Sequence, residues 1–110
     1  MNEWVEKNGY ATCLQAADKT LRQEGTEVSL IRFRSGKLEH YHKYTTEFFH
    51  FTSGEGRALL DGREISIFPG TSVVVKPYQN HTFMNNSTSE FLEAVMVKTN
   101  IRPDDSYFTE

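Results

Sequence analysis

The feature of this sequence that most constrains its fold is a regular series of short apolar segments separated by turn residues. These segments cover residues 26–34, 47–52, 57–60, 64–68, 71–76, 81–84 and 91–98. They are rich in β-branched and aromatic residues, and glycine, proline or asparagine stands between them, which is typical of β-strands joined by tight turns. Since no long amphipathic helix interrupts the series, we predict an all-β fold, a small antiparallel β-barrel or jelly roll.

The strand series divides the chain of 110 residues into three stretches within one domain. We expect residues 1–25 to form a short N-terminal arm with short strands or one helical turn. Tyr10, Leu14, Ala17 and Leu21 have roughly helical spacing, but Gly9 and the turn-like stretch 17–19 interrupt it. Residues 26–98 are the predicted barrel. Residues 99–110 are polar and are predicted to be a C-terminal tail.

Composition excludes several classes of protein. The formal net charge of -3 argues against a nucleic-acid partner, which usually requires a basic surface. No apolar run approaches the roughly 18 residues of a membrane helix, so no membrane partner is expected. With one cysteine, Cys13, and no signal-like N-terminus, we expect a cytoplasmic protein without disulfides.

Three of the four histidines and one glutamate are spaced as a metal site on β-strands would require. His40 and His42 are two residues apart, so on a strand both side chains leave the same face. Glu47 opens the next strand, and His81 begins a later one. Imidazoles with one carboxylate suit one divalent transition metal ion, namely Fe, Mn, Ni, Co or Zn. Alternatively, Glu47 is a surface carboxylate paired with Lys43.

These residues resemble the two motifs of the cupin superfamily. The first cupin motif, G-x5-H-x-H-x3,4-E-x6-G, is matched by His40, His42, Glu47 and Gly54, although Gly36 stands nearer to His40 than the motif glycine does. The resemblance to a small single-domain cupin covers residues 36–97. It implies a jelly-roll barrel whose metal ligands are His40, His42, Glu47 and His81.

The second cupin motif, G-x5-P-x-G-x2-H-x3-N, is matched less closely. His81 and Asn85 have the right interval, but Pro77 is one residue late and Tyr78 replaces the motif glycine. Asn85 could support the site from behind the ligands or end its strand. Within the second motif only the turn before His81 departs from the cupin pattern, and the ligand set that the resemblance implies is complete.

Side-chain alternation also predicts the substrate pocket. If Glu47 and His81 face inward, so do Phe49, Phe51 and Phe83, which would form an aromatic wall favouring an apolar or ring-bearing substrate. The alternative is that these rings only fill the core. His50 has the opposite parity and should face away from the metal.

Arg32 and Arg34 share one face of their strand. Pointing inward they would bind a carboxylate, and pointing outward they would be solvated charges. Gln79 and Tyr44 lie on loops beside the ligands and are candidates for orienting substrate. For an isomerase or lyase, Tyr44 or Glu93 would be the base, with Glu47 as the second catalytic candidate.

The sequence thus predicts a metal-dependent cupin enzyme acting on a small organic molecule, of dioxygenase, isomerase or lyase type. The alternative is a non-catalytic module that binds a small ligand or sugar. Since small cupins pair through their sheets, we also expect a homodimer, with the 1–25 arm, Phe48, Val74 and Met84 at the interface.

Overall fold

The structure is a computed structural model that describes residues 3–37 and 39–108. In this part of the chain, strands alternate with tight turns and the helical structure is one short segment. The elements are β1 (Trp4–Glu6), β2 (Tyr10–Ala17), α1 (Asp18–Leu21), β3 (Glu27–Phe33), β4 (His40–Tyr41), β5 (Thr46–Ser53), β6 (Gly56–Leu60), β7 (Arg63–Ile67), β8 (Ser72–Val75), β9 (His81–Asn85), β10 (Leu92–Thr99) and β11 (Tyr107–Phe108).

The strands form two antiparallel sheets, which confirms the predicted all-β barrel fold. Sheet A has the order β1-β2-β3-β10-β5-β8, and sheet B has the order β11-β4-β9-β6-β7. The core lies between the sheets, where the rings of Phe49 from sheet A and Phe83 from sheet B approach to 4.5 Å between centroids. Both side chains are fully buried. No helix in the described ranges is long and apolar enough to cross a membrane.

The alternation of β5 places one carboxylate among the apolar residues of the interior. Glu47, Phe49 and Phe51 are fully buried, whereas Phe48 between them is 38% exposed. In sheet A, Glu47 pairs with Val75 on one side and Lys98 on the other. The two phenylalanines belong to the apolar core, so the carboxylate lies at the end of this interior row.

The segments predicted as an arm and a tail are strands of the two sheets. β2 pairs with β3 from Tyr10 opposite Phe33 to Ala17 opposite Glu27. At the other end of the chain, Tyr107 of β11 pairs with Tyr41 of β4. Residues on both sides of the predicted barrel boundaries therefore contribute to the same two sheets.

Candidate metal centre

The three histidines converge on the inner side of sheet B. His40 and His81 are direct partners across β4 and β9. His42 follows two residues after His40, and its ring centroid lies 5.2 Å from that of His81. One nitrogen from each of the three rings lies within 4.8 Å of the others, and all three residues are buried. Three buried histidines could therefore hold a metal ion.

Glu47 approaches the histidines from sheet A. Its Oε2 lies 3.4 Å from His42 Nε2, and its Oε1 lies 3.3 Å from His81 Nε2. Lys98 Nζ is 3.7 Å from Oε2. Although burial alone would raise the pKa of Glu47, contacts from His42 and His81 and the nearby lysines hold it well below its usual range. The carboxylate is therefore ionised and can act as an anionic oxygen donor.

Backbone carbonyls fix which nitrogen of two rings faces the centre. His42 Nδ1 lies 2.5 Å from the Asp105 carbonyl oxygen, and His81 Nδ1 lies 3.0 Å from that of Gln79. A carbonyl only accepts, so each Nδ1 carries a proton, and in the neutral form of each ring Nε2 presents a lone pair to a metal ion. Within the described residues, both Nε2 atoms and both Glu47 carboxylate oxygens are buried without a hydrogen-bond partner.

This set of atoms fits a bound cation. Leaving buried polar atoms unsatisfied costs about 1–3 kcal/mol each, and a cation in contact with all of them would remove that cost. Imidazole nitrogens with one carboxylate oxygen are donors that divalent transition metals accept. The hydrogen bonds from Nδ1 to carbonyls are those expected behind metal-binding histidines.

Asp105 holds the loop that joins His42 to Glu47. Its Oδ1 accepts from the Lys43 amide at 2.8 Å, and its Oδ2 accepts from the amides of Tyr44 and Thr45 at 3.0 and 2.9 Å. The Thr45 hydroxyl adds a fourth bond at 3.0 Å. Burial raises the pKa of Asp105, but these hydrogen bonds outweigh it and hold the pKa below its ordinary value. Sequence analysis missed this residue, because nothing local distinguishes it within a polar tail.

The altered turn before His81 keeps the backbone shape that a glycine would provide. Tyr78 has a φ of 71° and so adopts the left-handed conformation at the motif glycine position. Its amide donates to the His42 carbonyl at 2.6 Å, which ties the loop before His81 to the strand pair of the other histidines. The Tyr78 ring stacks on Tyr41, with centroids 6.2 Å apart.

A cavity of about 330 Å³ opens onto three of the four candidate metal ligands. His40, His42 and Glu47 line it, together with Lys7, Asn8, Tyr10, Lys37, Lys98, Ser106 and Phe108. Of the lysines, only Lys98 continues an alternation visible in the sequence, since Leu92, Ala94 and Met96 precede it on the buried face of β10. The other lining residues that sequence analysis missed come from the predicted arm, the predicted tail and a turn, where no sequence pattern indicates a pocket.

The phenylalanines predicted to form a pocket wall lie elsewhere. Phe49, Phe51 and Phe83 are fully buried in the core cluster and do not line the cavity. Alternation set the face of each residue correctly, but the cavity opens only at the end occupied by Glu47. The cavity lining is therefore more cationic and hydroxylated than the predicted aromatic wall.

The two arginines lie on the outer face of sheet A. Arg32 stacks over Trp4 at 4.1 Å from the ring centroid and pairs with Glu6 at 3.7 Å. Arg34 pairs with the same Glu6 at 3.3 Å. The inward alternative considered for Arg32 therefore does not match its position.

The remaining predicted pocket residues surround the ligands without lining the cavity. The Asn85 amide donates to the carbonyls of Phe33, Arg34 and Glu90 and so closes the end of its strand. Tyr44 is 51% exposed, and the Gln79 side chain accepts from the Lys76 amide. His50 bonds to Ser72 on the opposite face from Glu47.

The profile of the cupin domain family matches residues 33–98, well over half of the chain. The chain belongs to the cupin family. The matched residues of this cupin include all four candidate metal ligands, and the predicted resemblance is confirmed. No curated protein gives a significant match to it.

Solved structures share the fold of this cupin at low identity. A Streptomyces PAC13 variant with uridine has a TM-score of 0.79 and 13% identity, and the alignment covers 99% of this chain and 85% of that one. A cupin-2 domain protein of Rhodospirillum rubrum has a TM-score of 0.82 and 13% identity, with 99% and 76% covered. A sugar phosphate isomerase of the cupin superfamily from Silicibacter pomeroyi has a TM-score of 0.74 and 23% identity, with 94% and 67% covered.

Proposed function

We propose that this cupin is a metal-dependent enzyme of isomerase or lyase type that acts on a small organic molecule. In this proposal His40, His42, His81 and Glu47 hold one divalent transition metal ion. The observation that carries the proposal is that the Nε2 atoms of His42 and His81 and the Glu47 carboxylate oxygens are buried and, among the described residues, without a hydrogen-bond partner. They converge beside a cavity of about 330 Å³ that His40, His42 and Glu47 line. Such a cavity is of the size that small-molecule sites have.

The metal would be Fe, Mn, Ni, Co or Zn, because all of these accept mixed nitrogen and oxygen donors. When bound, such an ion polarises a substrate oxygen as a Lewis acid. The residues of the chain orient the donors: the Asp105 and Gln79 carbonyls hold the rings of His42 and His81, and β5 presents the Glu47 carboxylate.

Tyr10 supplies the proton-transfer group of the proposal. It lines the cavity together with His40, His42 and Glu47. Burial, and secondarily the charge of Glu47, raises the pKa of Tyr10 above its ordinary value. Its hydroxyl therefore stays protonated at neutral pH and can donate a hydrogen bond or a proton to a substrate oxygen. This supports isomerase or lyase chemistry over dioxygenase chemistry, which needs no such donor.

Two structural neighbours support the same class of reaction. Pac13 is described as a nucleoside dehydratase, and the Silicibacter pomeroyi protein as a sugar phosphate isomerase. Both descriptions concern reactions in which protons move on a small oxygen-rich molecule. Oxygen uptake on diols, catechols or keto acids would instead indicate the dioxygenase alternative. Metal binding without turnover of any substrate would indicate the binding module.

The ligand set is tested by metal content. His42→Ala should lower the bound metal per chain sharply after exposure to Fe, Mn, Ni, Co or Zn salts, measured by atomic emission. His50→Ala is the matched control, because His50 bonds to Ser72 outside the site. Equal occupancy in the two variants would show that the assigned donors are wrong.

The proton donor is tested by a matched pair of tyrosine variants. Tyr10→Phe should abolish the incorporation of carbon-bound deuterium from heavy water into sugar or hydroxy-acid substrates, because the substrate oxygen loses its proton donor. The metal content should be unchanged. Tyr44→Phe should keep activity, because Tyr44 lies outside the cavity lining and is 51% exposed. Loss of activity in Tyr44→Phe alone would instead return the catalytic role to Tyr44.

We also propose that the protein is a homodimer that pairs through the outer face of sheet A. An apolar row crosses this face in register, consisting of Ala16, Val28, Val97, Phe48 and Val74. Phe48 and Val74 are 38% and 45% exposed, and such an apolar row is typical of an interface. Phe48→Glu should convert a dimer to a monomer in sedimentation, and a monomeric wild-type protein would refute the pairing. The cytoplasmic location stays a prediction.

A further inference from the structure

The cavity beside the metal centre has an excess of positive charge. Lys7, Lys37 and Lys98 all line it, whereas among the residues that the structure describes Glu47 is its one lining carboxylate. Lys98 lies within 3.7 Å of Glu47 and is partly neutralised by it. Lys7 and Lys37 supply the remaining positive charge of the lining, where a ligand in the cavity can meet them.

The backbone fixes the positions of these two lysines. Lys7 lies in the β1–β2 turn, where its amide donates to the Tyr10 carbonyl at 2.7 Å. The carbonyl of Gly9 in the same turn accepts from the amides of Arg34 and Ser35, which ties the turn to the end of β3. Lys37 is held by its own amide, which donates to the Phe83 carbonyl at 3.3 Å.

The Lys37 side chain is partly buried beside the ring of Tyr10. Its Nζ lies 4.9 Å from the centroid of the Tyr10 ring, an arrangement in which the ring stabilises the cation. Burial lowers the pKa of Lys37, although the charge of Glu47 acts in the opposite direction. A partly buried ammonium group interacts more strongly with an anionic partner than a fully solvated one does, since fewer water molecules compete for its donors.

A second hollow of about 300 Å³ shares Lys7, Tyr10, Lys37 and Lys98 with the first. Its other lining residues include one carboxylate, Glu27, together with Val5, Thr12, Leu14, Ser29, Ile31 and Met96. The lysines therefore form the common boundary of the hollow with the candidate metal donors and this second hollow. A ligand placed there would present an anionic group between two other parts of the molecule.

We infer that the substrate carries a carboxylate or phosphate group, which Lys7 and Lys37 bind while a neighbouring oxygen of the same molecule faces the histidines. The inference deepens the proposed function and rests on its placement of the active site. The oxyanion accepts charge-assisted hydrogen bonds from the two ammonium groups. The part of the molecule beyond the anion extends towards Leu14 and Met96.

Three probes with one carbon skeleton test the charge requirement. Glycerol, glycerate and glycerol phosphate are titrated into metal-free and zinc-loaded protein by isothermal calorimetry. Glycerate or glycerol phosphate should bind, and glycerol should not, because it lacks the anionic group. The stronger of the two anions identifies whether the group is a carboxylate or a phosphate. Binding to the metal-free protein separates the lysines from direct contact with the ion.

Charge-removing variants test the assignment to the two lysines. Lys37→Met and Lys7→Met should each weaken binding of the preferred anion about tenfold or more, the usual effect of losing a charged hydrogen bond. Lys37→Arg should retain most of it. Lys19→Met is the matched control, because Lys19 is an exposed lysine of α1 that lines neither hollow.

The results distinguish this inference from the proposed function. Equal binding of glycerol and both anions, no binding of any probe, or equal weakening in Lys19→Met and Lys37→Met would overturn it. If Lys37→Met does not fold, Lys7→Met and Lys37→Arg carry the same comparison. Metal content is measured in every sample. Anion binding in a protein that never retains metal would refute the metal centre and leave the anion site standing.

Discussion

Replacing Asp105 tests whether the C-terminal segment holds the loop that joins His42 to Glu47. Asp105→Ala removes an acceptor of four hydrogen bonds, three of them from consecutive backbone amides. Bonds to a charged group are worth about 1.5–3 kcal/mol each, but the freed loop can partly rehydrate. We therefore expect a loss of about 3–5 kcal/mol in the free energy of unfolding. Asp105→Asn should cost less, about 1.5–3 kcal/mol, because its one oxygen can serve the three donors that now share Oδ2.

The control is the neighbouring acid. Asp104 is exposed and has a φ of 55°, a conformation that asparagine tolerates, so Asp104→Asn should be nearly neutral. Urea denaturation at several pH values provides the measurement. Because the pKa of Asp105 is depressed in the folded state, its contribution is present above about pH 4 and disappears as the pH falls through the folded-state pKa. The difference between wild type and Asp105→Asn should therefore shrink in acid.

The same variants should change metal affinity. The backbone carbonyl of Asp105 accepts from His42 Nδ1, and Asp105→Ala keeps this carbonyl but removes the side-chain bonds that hold its segment in place. Losing a hydrogen bond that orients a metal ligand typically costs about 10–100-fold in metal affinity. Asp105→Ala should thus bind zinc more weakly than Asp104→Asn in a competition with a chelating dye. If Asp105→Ala is as stable as Asp104→Asn, or loses the same stability at every pH, the carboxylate does not clamp the loop.

Three further predictions concern the scaffold, each measured by urea denaturation. Tyr78→Gly should be more stable than Tyr78→Ala by about 1 kcal/mol, because both lose the ring but only alanine keeps the strained positive φ; equal stability would refute the strain. Phe83→Ala should cost about 3–5 kcal/mol, whereas Phe68→Ala, at a side chain 53% exposed, should cost far less. A Cβ on Gly36 would collide with the Phe83 carbonyl oxygen, so Gly36→Ala should cost more than Gly70→Ala, where nothing lies within 4 Å and the positive φ of 97° alone costs alanine about 1–2 kcal/mol.

The sequence predicted the sheet faces well because β-strands alternate strictly. The i, i+2 spacing of His40 and His42 placed both rings on one face, and the parity of β5 placed Glu47 inside and Phe48 outside. Both outcomes depend only on local geometry. Local geometry does not predict that His40 pairs with His81, because the two residues lie on strands far apart in the sequence. The resemblance to the two cupin motifs predicted that these residues share a site.

Alternation does not predict position along the barrel axis. Glu47, Phe49 and Phe51 share a face, but only the first lines the cavity, since the other two pack against Phe83. The face of Arg32 was equally undetermined, because its strand is apolar on both sides. The contact with Trp4 that decides its orientation comes from the arm, a segment whose pairing no local pattern indicates.

The cupin profile and the cavity lining divide the chain in a way that bears on function. The profile matches residues 33–98 and contains all four candidate donors. Lys7, Asn8 and Tyr10 precede that region, and Ser106 and Phe108 follow it, yet all five line the cavity. A site of this kind can keep its candidate metal donors while its substrate changes, because several of the residues that line the cavity, Lys7 and Tyr10 among them, lie outside the matched region. Exchanging residues 3–10 between two small cupins should therefore alter which anion binds and leave metal content unchanged, which the calorimetric and emission measurements above can separate.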